Sequence, residues 1–302
     1  MFTFAHLSDP HLAIVLPPRL ASLMSKRALG YLSWRTRRKA LHQPRILAAL
    51  IAAIKQAETD HIAITGDLIN ISLPAEFAAA RTWLESLGTG DRITLVPGNH
   101  DAYVRVPWSA SLGLWSPYMR GDDAPLDSAE DFPIVRVREP AALLGLSSAR
   151  PSAPHLATGA LGRRQLENLE ERLRALEQRG LFRIVLIHHP PVAGTVHRRA
   201  ALVDGEAFAA TIRRAGAELI VHGHMHRYSQ RSLPTPKGEV PVIGVASASA
   251  GLMQAEVEPA QFHIYTVKHE GDRWRLHLAV HRLDADQLAF RCERRLSLTI
   301  PA

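Results

Sequence analysis

Residues 183–191, RIVLIHHPP, form a short apolar run that ends abruptly in two histidines and two prolines. A second run, ELIVHGHMH at residues 218–226, ends in the same way, with three histidines around a glycine. Each apolar run is short and rich in β-branched residues, so each predicts a buried strand whose end carries polar side chains. We therefore expect the fold to bring these strand ends to one place.

Three segments nearer the N-terminus repeat this pattern. They are FAHLSDPH at 4–11, IAITGD at 62–67 and ITLVPGNHD at 93–101. Helical patterns at 44–57 and 74–87 separate these strands, and the alternation of strands and helices predicts a parallel sheet. Ligands of such sheets bind at the carboxyl ends of the strands, which is where the His, Asp and Asn residues lie.

The second half of the chain predicts a further sheet. Strands are expected at 132–138, 141–146, 182–187 and 217–222, and helices at 162–179 and 204–215. Strands without intervening helices then follow at 227–233, 239–246, 261–269 and 273–283, with a last one expected within 285–302. This region predicts an antiparallel block. Because no Gly- or Ser-rich linker divides the chain, we expect residues 1–302 to form a single domain with two packed sheets.

The composition, 46% hydrophobic and 22% charged, is typical of a globular protein. The one cysteine, Cys292, excludes an internal disulfide framework and a cysteine-based metal cluster. A net charge of +7 suits an anionic substrate, a nucleic acid or an anionic membrane surface, and does not choose among them. Asp9 lies so near the start that a cleaved leader would remove it, so we expect a cytoplasmic protein, soluble or peripheral at the inner face of the membrane.

The polar residues at the strand ends suit a centre with two metal ions. The candidate ligands are two carboxylates, one amide and four imidazoles: Asp9, Asp67, Asn99, His11, His188, His224 and His226. Nitrogen and oxygen donors without a thiolate favour Mn, Fe, Zn, Co or Ni over a closed structural zinc site. Two divalent ions with two carboxylates and one hydroxide leave a charge of about +1, which attracts a phosphodiester anion.

These motifs, in this order, resemble the calcineurin-like metallophosphoesterase family over residues 4–226 and the strands that follow. The resemblance implies a four-layer α/β/β/α sandwich of two mixed sheets with flanking helices and a dimetal site at the C-terminal ends of the strands. It assigns the ligands of the two metals: Asp9, His11, Asp67 and His226 to one, and Asp67, Asn99, His188 and His224 to the other, with Asp67 bridging. A hydroxide between the metals would attack phosphorus in line.

Two further roles follow from the resemblance. His100 matches the family's histidine that binds no metal and that stabilises the transition state or protonates the leaving oxygen. Asp101 would orient the His100 ring, as carboxylates commonly do for imidazoles.

The remaining polar residues near the motifs are expected to have supporting roles. His189 is the less favoured alternative to His188 as a ligand, and His222 is expected behind the ligands or in packing. His42 and His61 are expected at the surface or as capping residues.

Residues 12–43 differ from the rest of the chain. They alternate apolar residues with seven basic ones and contain no acid; the basic residues are Arg19, Lys26, Arg27, Arg35, Arg37, Arg38 and Lys39. We interpret this segment as a basic amphipathic insertion beside the site. Two interpretations stay open: a surface helical hairpin with a solvated basic face, or a cap that meets an acyl chain, a membrane or a polyanion.

The expected function is that of a metal-dependent phosphodiesterase, because the chain most resembles the bacterial branch that hydrolyses cyclic nucleotides and glycerophosphodiesters. The 12–43 insertion favours an alternative, a membrane-associated hydrolase of a lipid-linked pyrophosphate of the UDP-diacylglucosamine type. A nuclease is a less favoured alternative, and a nucleic-acid partner is not expected, because aromatic residues make up only 6% of the chain and do not suggest base-stacking platforms. A non-catalytic scaffold is the least favoured hypothesis, because no metal-ligand position of the family pattern is missing.

Overall fold

The computed structural model describes residues 1–13, 25–122, 124–251 and 258–302. Residues 14–24, which begin the predicted basic insertion and include Arg19, lie outside these ranges. None of the described helices combines the length and the apolar character needed to cross a bilayer.

The described residues form strands and helices close to those predicted. The strands are β1 (Phe2–Leu7), β2 (His61–Ile64), β3 (Ile93–Leu95), β4 (Ile134–Arg138), β5 (Ala141–Gly145), β6 (Phe182–Leu186), β7 (Leu219–His222), β8 (Ser229–Thr235), β9 (Gly238–Gly244), β10 (Gln261–Glu270), β11 (Arg273–Asp284) and β12 (Ala289–Pro301). The α-helices are α1 (Arg27–Ser33), α2 (Lys39–Leu41), α3 (Pro44–Gln56), α4 (Pro74–Leu87), α5 (Ser116–Met119), α6 (Arg163–Gln178) and α7 (Gly205–Ala215). A π-helical turn, Trp34–Arg38, joins α1 to α2.

The strands form two mixed sheets of six. The first sheet has the order β12-β11-β10-β1-β2-β3, and β1, β2 and β3 run parallel as predicted. The second sheet has the order β4-β5-β6-β7-β9-β8, in which β5, β6, β7 and β9 run parallel. The prediction of two mixed sheets is therefore confirmed.

The prediction of one antiparallel block after residue 226 is wrong in part. Strands β10 to β12 are antiparallel, but β9 pairs in parallel with β7, with Ile220 opposite Val242. Successive strands without a helix between them suggest that β8 and β9 pair with each other, but this order carries no information on which other strand β9 joins. The apolar β9 takes the buried place beside β7 and leaves the polar β8 at the sheet edge.

Side-chain burial shows four layers. Along β6, Ile184 and Leu186 join the core that the first sheet shares, while Val185 and Ile187 join the core under α6 and α7. The Phe182 ring on β6 lies 5.5 Å from the Trp274 ring on β11, so the two sheets pack face to face. The helices α3 and α4 contribute their apolar faces to the first core. The predicted α/β/β/α sandwich is confirmed.

A buried ion pair ties the second sheet to its helices. The Arg183 and Glu218 residues are 2% and 4% exposed, and the guanidinium donates from Nε and Nη2 to the carboxylate at 2.9 and 2.6 Å. Its Nη1 donates to the carbonyl oxygens of Leu173 in α6 and Ala215 in α7. Both charged groups lie where β6 and β7 begin, at the end of the sheet away from the polar strand ends.

We expect Glu218→Ala to lower the free energy of unfolding by about 3–5 kcal/mol, because the buried guanidinium then keeps only the more distant Glu177 carboxylate, 3.6 Å from its Nη1 atom. The double variant Arg183→Met/Glu218→Leu should regain most of this loss, since two apolar side chains remove both charges. Urea denaturation monitored by circular dichroism measures both. A double variant no more stable than Glu218→Ala would contradict the account.

Candidate metal centre

The seven predicted ligands meet at the carboxyl ends of five strands. They follow β1 (Asp9, His11), β2 (Asp67), β3 (Asn99), β6 (His188) and β7 (His224, His226). Backbone and side-chain contacts link the two sheets here. The His188 Nδ1 atom donates to the Thr65 carbonyl at 2.6 Å, and the His224 backbone N–H donates to the Asp9 carboxylate at 2.9 Å.

Five of these residues hold a backbone conformation that is unusual for residues with a side chain. Their φ angles are positive: 52° at Asp9, 40° at His11, 55° at Asp67, 70° at His224 and 52° at His226. This region costs a non-glycine residue roughly 1–3 kcal/mol, and such strain concentrates at functional sites. The strain at all five positions points to selection for the direction of the side chain rather than for stability.

The first group of ligand atoms lies around Asp9. The His226 Nε2 atom is 3.2 Å from the Asp9 Oδ1 atom and 3.3 Å from the His11 Nε2 atom. The His11 Nε2 atom is also 3.9 Å from the Asp67 Oδ2 atom. One donor atom each from Asp9, His11 and Asp67 lies within 4.8 Å of the others. These atoms are close enough to bind one ion.

The second group shares Asp67 with the first. The His188 Nε2 atom lies 3.4 Å from the Asp67 Oδ2 atom, 3.2 Å from the Asn99 Oδ1 atom and 3.2 Å from the His224 Nδ1 atom. The other oxygen of Asp67, Oδ1, accepts the His100 backbone N–H at 2.7 Å. Because Oδ2 faces both groups, it has the position of a bridging ligand.

Backbone carbonyl groups orient three of the four imidazoles. The His188 Nδ1, His224 Nε2 and His11 Nδ1 atoms donate to the carbonyls of Thr65, Ala200 and Ile69 at 2.6, 3.0 and 3.3 Å. The remaining nitrogen of each ring then has a lone pair directed at the carboxylates, as in metal-binding histidines. Two such nitrogens stand 3.2 Å apart in His188 and His224, which requires a cation or a proton between them. The residues therefore fit a metal ion at each group.

The charges of the site favour a cation. Burial would lower the pKa of His188, but the charge of Asp67 and the hydrogen bond with it raise this pKa to about 9. Burial and the positive charge of His188 lower the pKa of His224 to about 4. Burial acts to raise the pKa of Asp9, yet His226 and His188 hold it below its usual range. The two candidate ligands Asp9 and Asp67 thus stay ionised and attract positive charge, and a bound metal would displace the proton of His188.

Two glycines allow the loops to approach each other. A Cβ atom at Gly98 would overlap the Asp67 Oδ1 atom and lie 2.6 Å from the Asp67 backbone nitrogen. A Cβ atom at Gly223 would overlap the Ser8 Oγ atom and lie 2.5 Å from the Asp9 Oδ2 atom. Only glycine therefore fits at either position without displacing a predicted ligand.

The prediction that Asp101 orients the His100 ring is wrong. The Asp101 Oδ2 atom accepts the backbone N–H groups of Asp67 and Gly98, both at 2.8 Å. Its Oδ1 atom accepts those of Leu68 and Ile69, at 2.9 and 3.2 Å. These four N–H groups are not hydrogen-bonded within a strand or helix, and the carboxylate is their acceptor, whereas the His100 ring bonds to the Asn70 carbonyl instead. Asp101 therefore holds the loop after β2 against the loop after β3.

His100 has other partners. Its Nδ1 atom donates to the Asn70 carbonyl at 2.5 Å, and its ring stacks on Tyr103 with centroids 5.5 Å apart. The Arg38 Nη1 atom lies 2.7 Å from the His100 Nε2 atom. Burial and the charge of Arg38 lower the pKa of His100 to about 3, so the ring is neutral near pH 7. The sequence did not reveal Arg38 as a site residue, because it is one of several cations in a basic stretch.

The sequence also did not indicate His42 as a site residue, and its predicted surface position is wrong. The residue is 5% exposed, and its ring centroid lies 4.4 Å from that of His11 and 5.5 Å from that of His226. One nitrogen of each of the three rings lies within 4.8 Å of the others. The Nδ1 atom lies 2.8 Å from the Ser249 Oγ atom, while Nε2 is buried without a hydrogen-bond partner among the described residues. Because His42 lies outside the strand-end motifs, the sequence pattern does not indicate that it lies close to His11 and His226.

Other histidines take structural positions. His61, also expected at the surface, is buried in β2 with its Nε2 atom 2.7 Å from the Thr94 Oγ1 atom. Both ring nitrogens of His189 are occupied, by the Ser148 hydroxyl at 2.7 Å and the Ala157 carbonyl at 3.1 Å. His222 is buried and its Nδ1 atom donates to the Gly223 carbonyl. In this geometry His188, rather than His189, presents a free nitrogen to the other ligands.

The family that the strand-end motifs resemble is also the one that comparison with known proteins finds. The sequence model of the family described as "Calcineurin-like phosphoesterase" matches residues 2–228. The chain belongs to this family and is a metal-dependent phosphoric ester hydrolase.

Relatives of this chain carry a more specific name. A Synechococcus protein named "Probable cyclic nucleotide phosphodiesterase" is 27% identical over 246 residues, which cover 80% of this chain and 84% of the relative. A protein of the same name from Synechococcus sp. (strain WH7803) is 31% identical over 108 residues, or 35% of this chain and 39% of the relative.

Two solved structures have a similar fold. A dimetal phosphatase from Danio rerio has a TM-score of 0.61 at 14% identity, and the match covers 99% of this chain and 98% of that one. A purple acid phosphatase from yellow lupin has a TM-score of 0.62 at 12% identity, with 99% of this chain and 53% of that one covered. At these identities the two structures support the fold alone.

We expect Asp101→Asn to lower the free energy of unfolding of the metal-free protein by about 3 kcal/mol, because an amide nitrogen would face backbone N–H donors that have lost their acceptor. Chemical denaturation in the presence of a chelator measures this. Asp127→Asn, at an exposed position, is the control. Equal stability of the two variants would show that the four hydrogen bonds contribute little.

We expect His42→Ala to weaken binding of Mn²⁺ at one of two sites by roughly 10-fold or more, the effect typical of residues that support a metal site. The reason is that one nitrogen of His42 lies with those of His11 and His226 within 4.8 Å. Isothermal titration calorimetry measures the two affinities separately. His61→Ala is the control, because it removes another buried imidazole at the start of β2, the end of this strand away from the ligand Asp67. A similar loss of Mn²⁺ affinity in His61→Ala would refute a local role for His42.

Proposed function

We propose that this protein is a phosphodiesterase that uses two divalent metal ions, of Mn, Fe or Zn, to hydrolyse a small phosphodiester. The observation that carries the proposal is the Asp67 Oδ2 atom, which lies 3.9 Å from the His11 Nε2 atom and 3.4 Å from the His188 Nε2 atom. One carboxylate oxygen thus serves both ligand groups. Two ions bound there would supply a nucleophile from water for in-line attack and would hold the phosphate oxygens.

The charge of the centre supports a diester over a monoester. Asp9 and Asp67 are its only carboxylates among the candidate ligands, and the remaining donors are the neutral Asn99 amide and four imidazoles. A loaded centre would carry a charge of about +1, which matches the single negative charge of a phosphodiester. The name of the Synechococcus relatives supports a cyclic nucleotide as one substrate to examine.

The chain's own residues would bind and orient this substrate. Asp101 fixes the loops that carry Asp67 and Asn99, so that their ligand atoms are in place before the substrate arrives. The neutral ring of His100 lies beside them and accepts a hydrogen bond from Arg38. Such preorganisation lowers the barrier because few groups need to move during the reaction.

One observation favours a second candidate, hydrolysis of an amphiphilic phosphate such as a lipid-linked pyrophosphate at a membrane surface. The α1 side chains Leu29 and Leu32 are 48% and 60% exposed, and Lys26 precedes them in the same part of the insertion. Exposed leucines beside cations suit contact with an anionic bilayer. The interpretation of residues 12–43 as a cap for an acyl chain falls in part on residues 14–24, which lie outside the described residues.

We expect Asp67→Asn to lower kcat with Mn²⁺ on bis(p-nitrophenyl) phosphate by more than about 100-fold, because both ions lose a shared anionic ligand. Metal content should fall in parallel, which atomic emission spectroscopy measures. Asp127→Asn serves as the control and should retain wild-type activity. An Asp67→Asn variant with wild-type turnover would overturn the dimetal proposal.

A substrate panel separates the two candidates in the same preparation. Cyclic nucleotides, glycerophosphodiesters and UDP-diacylglucosamine are compared by kcat/KM with Mn²⁺ and with or without anionic liposomes. A preference for the water-soluble diesters supports the phosphodiesterase. A preference for the lipid substrate that grows with liposomes, and that Leu29→Ser/Leu32→Ser removes, supports the second candidate instead.

A further inference from the structure

The described part of the basic insertion turns toward the metal centre through a π-helical turn. Trp34 at the start of this turn is buried, and its ring stacks on that of Tyr31 with centroids 5.9 Å apart. Arg38 is the last residue of the turn. A π-turn changes the direction of the side chains that follow it, and such turns are frequent at functional sites. Here the turn directs Arg38 to His100, while Arg35 and Arg37 remain exposed.

The guanidinium of Arg38 has few hydrogen-bond acceptors around it. Within the described part of the chain, His100 is its one hydrogen-bond acceptor, and no carboxylate lies within 4.0 Å of it. Burial lowers the pKa of Arg38, although Asp67 and Asp9 attract its charge from a greater distance. An arginine has five N–H donors, and a desolvated cation without an anion is costly. The N–H groups that are not bonded to His100 are therefore available to an anionic ligand.

His100 can hold Arg38 but has no proton to give to a leaving group in this arrangement. Its Nδ1 atom donates to the Asn70 carbonyl at 2.5 Å, so its Nε2 atom is the acceptor for Arg38. The stacked Tyr103 ring supports the imidazole from one face. His100 is thus a positioning residue, and Arg38 presents the charge.

A cavity of about 420 Å³ opens beside Arg38 and His100. Its lining is mixed: the apolar and aromatic side chains of Leu29, Leu32, Tyr103 and Leu156 alternate with polar ones such as Ser33, Thr36 and His155. Its other charged lining residues are cationic, and no Asp or Glu among the described residues contributes to its wall. The cavity therefore suits an uncharged or anionic organic group of moderate size.

We propose that Arg38 binds a phosphoryl oxygen of the substrate and that the adjoining cavity receives one of its two ester groups. The proposal rests on the proposed function and narrows its substrate class to diesters with at least one bulky organic ester group. Arg38 keeps its Nη1 bond to His100 and offers its other N–H groups to the phosphate, for which the planar guanidinium is well suited. No proton is transferred in this contact.

Binding of inorganic phosphate to the Mn²⁺-loaded protein tests the role of Arg38 without turnover. Arg38→Ala should weaken phosphate binding about 10- to 100-fold, as expected for a lost charge-assisted contact. Arg38→Lys should restore part of the affinity, because an ammonium provides the charge but not the fork of donors. Arg35→Ala removes an exposed arginine from the same turn and should change the affinity less than about 2-fold. Calorimetry and metal analysis are run on each variant.

A substitution that makes the cavity smaller tests whether the cavity receives an ester group of the substrate. Leu156→Trp would fill part of it and should lower kcat/KM for bis(p-nitrophenyl) phosphate at least about 5-fold more than for methyl p-nitrophenyl phosphate, which fits in the reduced space. An equal effect on both substrates would overturn the assignment of the cavity.

Three outcomes decide the inference about Arg38. Wild-type phosphate affinity in Arg38→Ala overturns it, and so does weaker binding that coincides with loss of Mn²⁺, because Arg38 would then act through the metals. Weaker phosphate binding at unchanged metal content supports it. If that result is found in a protein that hydrolyses no phosphodiester, the anion site stands and the proposed function fails.

Discussion

The site depends on four hydrogen bonds to one carboxylate. Asp101 follows β3, yet three of the backbone N–H groups that it accepts belong to the loop after β2. These bonds fix the backbone of Asp67 at a positive φ, a conformation that the residue would otherwise leave. Because the Oδ2 atom of Asp67 faces both ligand groups, the relative position of the two groups follows from the same contact.

Two hydrogen bonds connect the ligand loops of the first sheet to those of the second. Thr65, after β2, accepts the Nδ1 proton of His188, and Asp9, after β1, accepts the backbone N–H of His224. Each bond joins loops of different sheets, so the face-to-face packing of the sheets sets the distance between the ligands. The positive φ angles of the ligand loops occur where these contacts between the two sheets hold the backbone in place.

The basic insertion divides into groups with different physical roles. Arg38 is turned inward and partly desolvated beside His100, whereas Arg35 and Arg37 are exposed. His42, four residues further on, lies against His11 and His226. The segment thus reaches the metal centre as well as solvent. The basic composition of the segment suggests only a charged surface, but Arg38 and His42 lie within the site.

The sequence by itself determined the elements and the chemistry, because apolar runs that stop at Pro, Gly, His and Asp mark both the strands and their functional ends. The two packed sheets and the close approach of Asp9, Asp67 and His188 follow from that local signal, and the four layers follow from the family resemblance that the same motifs carry. Tertiary structure alone decided that β9 joins β7, that Asp101 binds backbone rather than His100, and that Arg38 and His42 turn inward. These depend on long-range pairing and on side-chain direction, and a local pattern of residue types encodes neither.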